Sequence, residues 1–293
     1  MALPLGEVPS NITDLLKEHS DLIFGGSFAA RGQFPWQVIL LKKTPQGIGM
    51  CGGTLITRRH VLTAAHCLRA GKVLPGSVAI LGAVDRTTTA TTPGVQTINF
   101  ASYKQHPNFV DGPGFHNDIG VVTLASDVVF SKFVKPIEIR ANDNRLINAL
   151  NAYVSGFGTY TYQNGKRVTS KQLRFANVKT INFPWCKQRW ATATKGKAIL
   201  PQKQVCAGAN GRGVDKGDSG GPLQVKTNGK WVQIGVASIV LQKAGETRTN
   251  QVKFPGKLSF LLVYKRFRLA VYTRVSKYCP FIARATQNVF KCA

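Results

Sequence analysis

Three residues have the types and settings that nucleophilic catalysis needs. Ser219 lies in Gly217-Asp218-Ser219-Gly220-Gly221-Pro222. Among three glycines the backbone can turn sharply, a substrate can come close, and neighbouring N–H groups can be aimed at one oxygen. Taken alone, the hexamer reads first as a Gly-rich turn with an incidental serine. His66 lies in Leu62-Thr63-Ala64-Ala65-His66-Cys67, where an apolar run delivers one imidazole; taken alone, it reads as a core histidine. Asp118 opens the apolar run of His116-Asn117-Asp118-Ile119-Gly120-Val121-Val122, where burying a carboxylate is expensive unless it is paired. Together the three supply a nucleophile, a base to take its proton, and a carboxylate to fix the tautomer of the base.

Elements from distant parts of the chain must bring these residues together. The 293 residues, 43% of them hydrophobic, are enough for one large domain or two half-domains. Short β-rich runs with Gly and Pro between them dominate: Trp36 to Leu41, Val78 to Leu81, Ile119 to Leu124, Tyr153 to Ser155 and Trp231 to Val240. They predict an all-β sandwich or barrel. Helical periodicity is confined to the tail, where Phe281, Ile282, Ala285 and Val289 line one face of a terminal amphipathic helix. A seam between halves is expected near 140–150, at Arg140-Ala141-Asn142-Asp143-Asn144.

No apolar run reaches the ~18 residues of a membrane span, so no transmembrane segment is expected. The six cysteines contain no CxxC and are too widely spaced for zinc knuckles, so disulfides are expected and no metal. Disulfides imply an oxidising, extracellular setting, with which the sequon Asn11-Ile12-Thr13 agrees. Met1 to Ser10 shows neither the basic nor the apolar region of a signal peptide, and an incomplete or processed N-terminus is the expectation. Net charge is +26, and residues 147–293 hold 25 Lys/Arg against 3 Asp/Glu. Such a field attracts polyanions in a salt-dependent way, or it is a solvated basic face without a partner. No helix-turn-helix, zinc finger or RRM pattern accompanies it, so no specific nucleic acid is expected.

From about Ile23 to the C-terminus the sequence resembles the chymotrypsin-like (trypsin-fold) serine proteases. The order His66, Asp118, Ser219 is that of the family's catalytic triad. Further landmarks follow in order: Gly32-Gln33-Phe34-Pro35-Trp36-Gln37-Val38, Cys51-Gly52-Gly53-Thr54-Leu55-Ile56, Val154-Ser155-Gly156-Phe157-Gly158, Val205-Cys206-Ala207-Gly208 and Val271-Tyr272-Thr273-Arg274-Val275. Chance agreement at eight separated places is negligible. The resemblance implies two six-stranded antiparallel β-barrels with the active site in the cleft between them, followed by a C-terminal helix. Residues 1–22 would be an extension or propeptide, 23–145 the first barrel and 146–293 the second.

The same resemblance assigns the oxyanion hole to the N–H groups of Gly217 and Ser219, where losing one donor typically costs ~10²–10³ in rate. The substrate would pair as a strand with Ser238-Ile239-Val240. The specificity pocket would have Gly213 as its floor and Val240 and Gly256 at its neck, which favours small or medium apolar side chains and gives Arg or Lys no acid to meet. Cys51–Cys67 would close a loop beside His66, contributing roughly 3 kcal/mol, and Cys186–Cys206 would be the second family bridge. Cys279 and Cys292 match no family pair, and their pairing stays open. Ile23-Phe24-Gly25-Gly26 resembles the family's mature N-terminus. Cleavage after Leu22 would free an amino group for Asp218, making the uncut chain a zymogen, and Leu22 disfavours a trypsin-like activator.

Two departures stand against this pattern. Asp215 occupies the place of a family disulfide cysteine whose partner is also missing from Leu241 to Val252. It reads as a residue of a loosened pocket wall. Removing Lys257 to Ala270 restores the family-like run Phe254-Pro255-Gly256-Val271-Tyr272-Thr273, so these 14 residues read as a retained intron or gene-model error, or else as a basic-hydrophobic loop for a membrane surface or polyanion. The function implied is that of a secreted, monomeric serine endopeptidase acting on peptide or protein substrates without a cofactor. The rival is a catalytically silent basic homologue that binds polyanions.

Overall fold

The computed structural model describes residues 23, 25–69, 73–87, 92–112, 114–148, 151–164, 166–241 and 267–293. A short strand β1 (Ser27–Phe28) precedes the six strands of the first barrel. These are β2 (Gln37–Thr44), β3 (Gly47–Leu55), β4 (His60–Thr63), β5 (Val78–Leu81), β6 (Gln96–Gln105) and β7 (Gly120–Leu124), closed in the order β2-β3-β4-β7-β6-β5. Closure removes free edges and turns one face of every strand inward. Val38, Leu40, Leu55, Leu62, Leu81, Val122 and Leu124 fill that interior at 2% exposure or less.

The second half adds β8 (Ala152–Gly156), the hairpin β9 (Thr159–Gln163) and β10 (Lys166–Thr169), then β11 (Arg174–Ile181), β12 (Gln204–Asn210), β13 (Pro222–Thr227), β14 (Lys230–Val240) and β15 (Phe267–Arg274). Six of them run β11-β12-β15-β14-β13-β8, and β8 pairs back onto β11 from Gly156↔Arg174 to Ala152↔Val178, so this barrel also closes. All these pairings are antiparallel.

Helix α1 (Phe183–Ala193) was not foreseen from periodicity, because it buries only Cys186 and Trp190 and has no continuous apolar face. Asn182 caps it, accepting from the Trp185 N–H. The C-terminal helix α2 (Cys279–Ala285) is shorter than the apolar spacing through Val289 predicts. Gln287 and Asn288 take left-handed φ of 53° and 64°, which ends it. Its apolar residues Phe281 and Ile282 pack into the first barrel's core cluster, so the end of the chain crosses back over the first half. Strand β1 crosses the other way and pairs with β11.

Three disulfides are present: Cys51–Cys67, Cys186–Cys206 and Cys279–Cys292. Of the segment Lys257 to Ala270, residues 257–266 lie outside the described residues, as do Leu22 and Gly256. The last four residues form the first half of β15, where Leu269 pairs with Gly208, and Ala270 with both Ala207 and Val240.

Buried polar groups hold the two barrels together. Trp36 Nε1 donates to Gln224 Oε1 (2.6 Å), Gln224 Nε2 to Ser155 Oγ (3.3 Å), and Ser155 Oγ to Gln37 Oε1 (2.7 Å). Leaving any member of such a buried chain unpaired costs about 1–3 kcal/mol, so the network fixes how the barrels face each other.

Candidate active site

Register on the first barrel sets the first pair. Strand β4 pairs with β7 so that Thr63 faces Gly120. Continuing that antiparallel register past both strand ends brings residues 65–66 alongside Asp118. His66 leaves on a 3₁₀ turn, Ala65–Leu68, and meets Asp118 twice. Its backbone N–H donates to Oδ1 (2.8 Å), and its Nδ1 lies 2.7 Å from Oδ2. Asp118 is fully buried, and the imidazole keeps 16% of its surface exposed. Two donors on a buried carboxylate satisfy the electrostatic demand that the sequence raised.

The second barrel supplies a further donor to this carboxylate and one to the backbone carbonyl of the same residue. Ser238 Oγ donates to Asp118 Oδ2 (2.6 Å), and Thr273 Oγ1 donates to the Asp118 carbonyl (2.7 Å). A register shift between Ala237 and Ile239 makes Ser238 the bulged residue of β14 against β15, and such a bulge re-aims a side chain. The sequence placed Ser238 only along the substrate strand; its hydroxyl also props the carboxylate. Nothing local marks this, because its partner is 120 residues away.

Ser219 sits three residues before β13, on a loop sealed to the first barrel. Its carbonyl accepts the Gly52 N–H (2.7 Å), and the Cys67 disulfide sulfur lies 3.6 Å from that carbonyl and 3.8 Å from His66 Nε2. Among the described residues no hydrogen bond joins the Ser219 hydroxyl to the imidazole; the two flank one disulfide, and both are partly exposed. Gly220, at φ 81°, shows why the motif needs its glycines: a Cβ there would collide with Thr63 Oγ1 and the Gly52 carbonyl.

The amide groups of this loop can be accounted for one by one. Lys216 N–H goes to Asp215 Oδ1, Asp218 N–H to the Asp215 carbonyl, Gly220 N–H to the Ala237 carbonyl and Gly221 N–H to the Asp218 carbonyl. Among the described residues the N–H groups of Gly217 and Ser219 have no acceptor. Asp218 itself is 1% exposed. Its Oδ1 accepts from Gly158 (2.7 Å) and its Oδ2 from Asp215 (3.0 Å). Burial pushes its carboxyl up to about 7 despite these donors. Ile23 is fully buried in the second barrel's core cluster with Val214, and it carries a φ of 34°, unusual for a β-branched residue.

Of the other residues that the sequence singled out, Gly213 is buried, and its missing Cβ would lie 3.5 Å from Arg268 Cβ. Ile239 packs toward Leu269 and Val271, and Val240 toward the second barrel's core. Gly256 lies outside the described residues. Sequence reading did not find Phe115, whose ring centroid is 5.4 Å from the His66 ring and which stacks with Phe109. Cys51, His66 and Cys67 place two sulfurs and a ring nitrogen within 4.8 Å of one another. Both sulfurs are spent in the disulfide, so the group offers no thiolate to a metal.

The trypsin family model matches residues 23–259. Serine protease 41 of Homo sapiens is 30% identical over 277 residues, which cover 93% of this chain and 79% of that protein. Trypsin delta of Drosophila erecta is 32% identical over 219 residues, covering 74% of this chain and 78% of its own. Phenoloxidase-activating enzyme 1 of Spodoptera litura is 32% identical over 233 residues; these are 74% of this chain but 60% of that enzyme's length. With two closed antiparallel barrels and a His66–Asp118 pair at their junction, the chain belongs to the trypsin family. It is a serine endopeptidase.

Proposed function

We propose that the protein hydrolyses peptide bonds through an acyl-enzyme on Ser219, with His66 as the base and Asp118 as its orienting carboxylate. The observation that carries this is the doubly bonded His66–Asp118 pair, whose carboxylate is fully buried and reached by donors from both barrels. Asp118 Oδ2 at Nδ1 fixes the tautomer that leaves Nε2 free to accept a proton. The Ser219 hydroxyl then attacks the scissile carbonyl carbon and passes its proton to Nε2. The oxyanion that forms would accept from the N–H groups of Gly217 and Ser219, whose lack of an internal acceptor favours that role. Imidazolium returns the proton to the departing amine, and water repeats the sequence to release the acid.

The chain is made as a zymogen in this reading and is cut after Leu22. Two features support it. The Asp218 carboxyl has N–H donors, yet burial pushes it up to about 7, as expected of a buried group whose charge an ammonium would stabilise. Ile23 is already packed into the second barrel, in a backbone conformation costing roughly 1–3 kcal/mol that release from Leu22 relieves. For specificity, Gly213 at the floor and Val240 at the neck favour small or medium apolar side chains at the cleaved position. Secretion fits three disulfides among the described residues, none of whose helices is long and apolar enough to cross a membrane.

The experiment is labelling by a fluorophosphonate after cleavage at Leu22–Ile23, with Ser219→Ala as control. Labelling of the cut wild type alone is expected. A cut, folded wild type that takes up no label would leave the silent homologue as the better reading.

A second reading, compatible with the first, is polyanion binding by the second barrel. Of the three carboxylate side chains in residues 147–293, Asp215 and Asp218 are buried at 3% and 1% exposure, and Glu246 lies outside the described residues. The described surface of this half therefore presents no Asp or Glu side chain among its Lys and Arg.

A further inference from the structure

We propose that Arg268 positions the Gly213–Ser219 loop through Asp215 and bars basic side chains from the pocket above Gly213. This rests on the reading of Ser219 as nucleophile and Gly213 as pocket floor.

The side chain of Asp215 is 1% exposed. Arg268 Nη1 donates to its Oδ2 at 2.9 Å, and the guanidinium-bearing side chain is 22% exposed. Asp215 is also the residue on which the loop is folded. Its Oδ1 accepts the Lys216 N–H (2.6 Å), its carbonyl accepts the Asp218 N–H (3.0 Å), and its own N–H donates to Asp218 Oδ2 (3.0 Å). The Gly217 and Ser219 amides are thus carried by a turn that closes around one buried carboxylate, with a second, Asp218, three residues on. Two buried carboxylates in one turn repel each other unless cations offset them. Arg268 brings such a cation from strand β15, where it pairs with Ala209 across the sheet. Removing one member of a buried ion pair typically destabilises strongly, because it leaves the other charge uncompensated.

The same side chain decides what the pocket meets. Arg268 Cβ lies 3.5 Å from the point a Gly213 Cβ would occupy, so the guanidinium leaves from the pocket base toward Asp215. An incoming Arg or Lys side chain would approach a carboxylate that already holds a guanidinium, and like-charge juxtaposition selects against it. A neutral side chain meets no such penalty. The family likeness marks Asp215 as a residue of a loosened pocket wall; Arg268 lies 53 positions further along, in the segment that departs from the family pattern.

The test uses the chain cut at Leu22–Ile23, with benzamidine as a cationic mimic of a basic side chain. Equilibrium binding is measured for wild type, Arg268→Lys, Arg268→Gln and the double variant Asp215→Asn/Arg268→Gln. Fluorophosphonate labelling of Ser219 runs in parallel. Arg268→Gln is expected to bind benzamidine at least tenfold more tightly than wild type, through the Asp215 carboxylate that the guanidinium no longer holds. Arg268→Lys and the double variant are expected to stay near wild type, and the double variant to label faster than Arg268→Gln. Unchanged benzamidine affinity in a labelled Arg268→Gln would overturn the inference alone, whereas absence of label in wild type would overturn the reading beneath it. If Arg268→Gln does not fold, the double variant must fold for the inference to stand, since it removes both charges together.

Discussion

A carboxylate is useful in an active site only if its ionisation and direction are both held, and Asp118 and Asp218 are held differently. Asp118 is offset by donors on every side: His66 N–H, His66 Nδ1 and Ser238 Oγ. Replacing it by Asn should lower kcat by about 10⁴, the loss typical when this group no longer enforces the tautomer. Steady-state kinetics on the cut enzyme would measure it, with KM little changed. Ser238→Ala removes a hydrogen bond to a charged group and should cost about 1.5–3 kcal/mol of stability, read by urea unfolding. Asp218 has backbone donors instead, and burial raises its carboxyl from 3.8 to about 7. A carboxyl raised on folding favours the fold most below about pH 4 and loses that contribution as pH rises through 7. Uncut Ser219→Ala protein should therefore lose Tm across pH 4 to 7, and Asp218→Asn should flatten that slope. A slope unchanged by Asp218→Asn would remove this group from the account.

Strands, turns and disulfides bring these residues within reach. Register on β4 and β7 sets the His66–Asp118 pair, and the bulge in β14 sends Ser238 to the same carboxylate. The loop between them depends on close backbone approach at Gly220. Gly220→Ala should cost about 2–4 kcal/mol, because it needs a φ of 81° and collides with Thr63 and Gly52. Thermal unfolding of Gly220→Ala/Ser219→Ala would measure this without self-cleavage. The segment Lys257 to Ala270 belongs to this scale too. Its removal would put Phe254, Pro255 and Gly256 where Arg268, Leu269 and Ala270 now stand in β15. Only the longer version brings Arg268 to Asp215. cDNA reads through all 14 codons would defeat the retained-intron reading, and reads that skip them would remove Arg268 from the protein.

At the scale of the molecule, each end of the described residues is packed against the opposite barrel: β1 on β11, and α2 on the first barrel. The Cys279–Cys292 bridge staples α2 to the tail, whose Ala293 N–H donates to the Ile139 carbonyl (2.9 Å). Charge is distributed on this scale as well. The +22 borne by residues 147–293 stands on a surface whose described side chains include no carboxylate. The protein should elute from heparin only at high salt, with a steep dependence of affinity on salt concentration. Elution below about 0.3 M salt would return that surface to the status of a solvated face.

Short β-rich runs set off by Gly and Pro were enough to predict an all-β sandwich or barrel, because turn residues punctuate strands locally, and the family resemblance supplied the two closed antiparallel barrels. Residue types and family motifs likewise singled out His66, Asp118 and Ser219, since each needs a distinctive local setting. What local order cannot encode is which distant groups meet. Ser238 and Thr273 on Asp118, Phe115 on the imidazole ring, and Arg268 on Asp215 are contacts across barrel closure, loop packing or sheet register. The C-terminal helix follows the same rule in reverse. Its apolar spacing continued to Val289, but left-handed backbone at Gln287 and Asn288 ended it, and Val289 remains 68% exposed. Side-chain chemistry is a local property and can be read along the chain, whereas electrostatic compensation in a folded protein depends on distance in space.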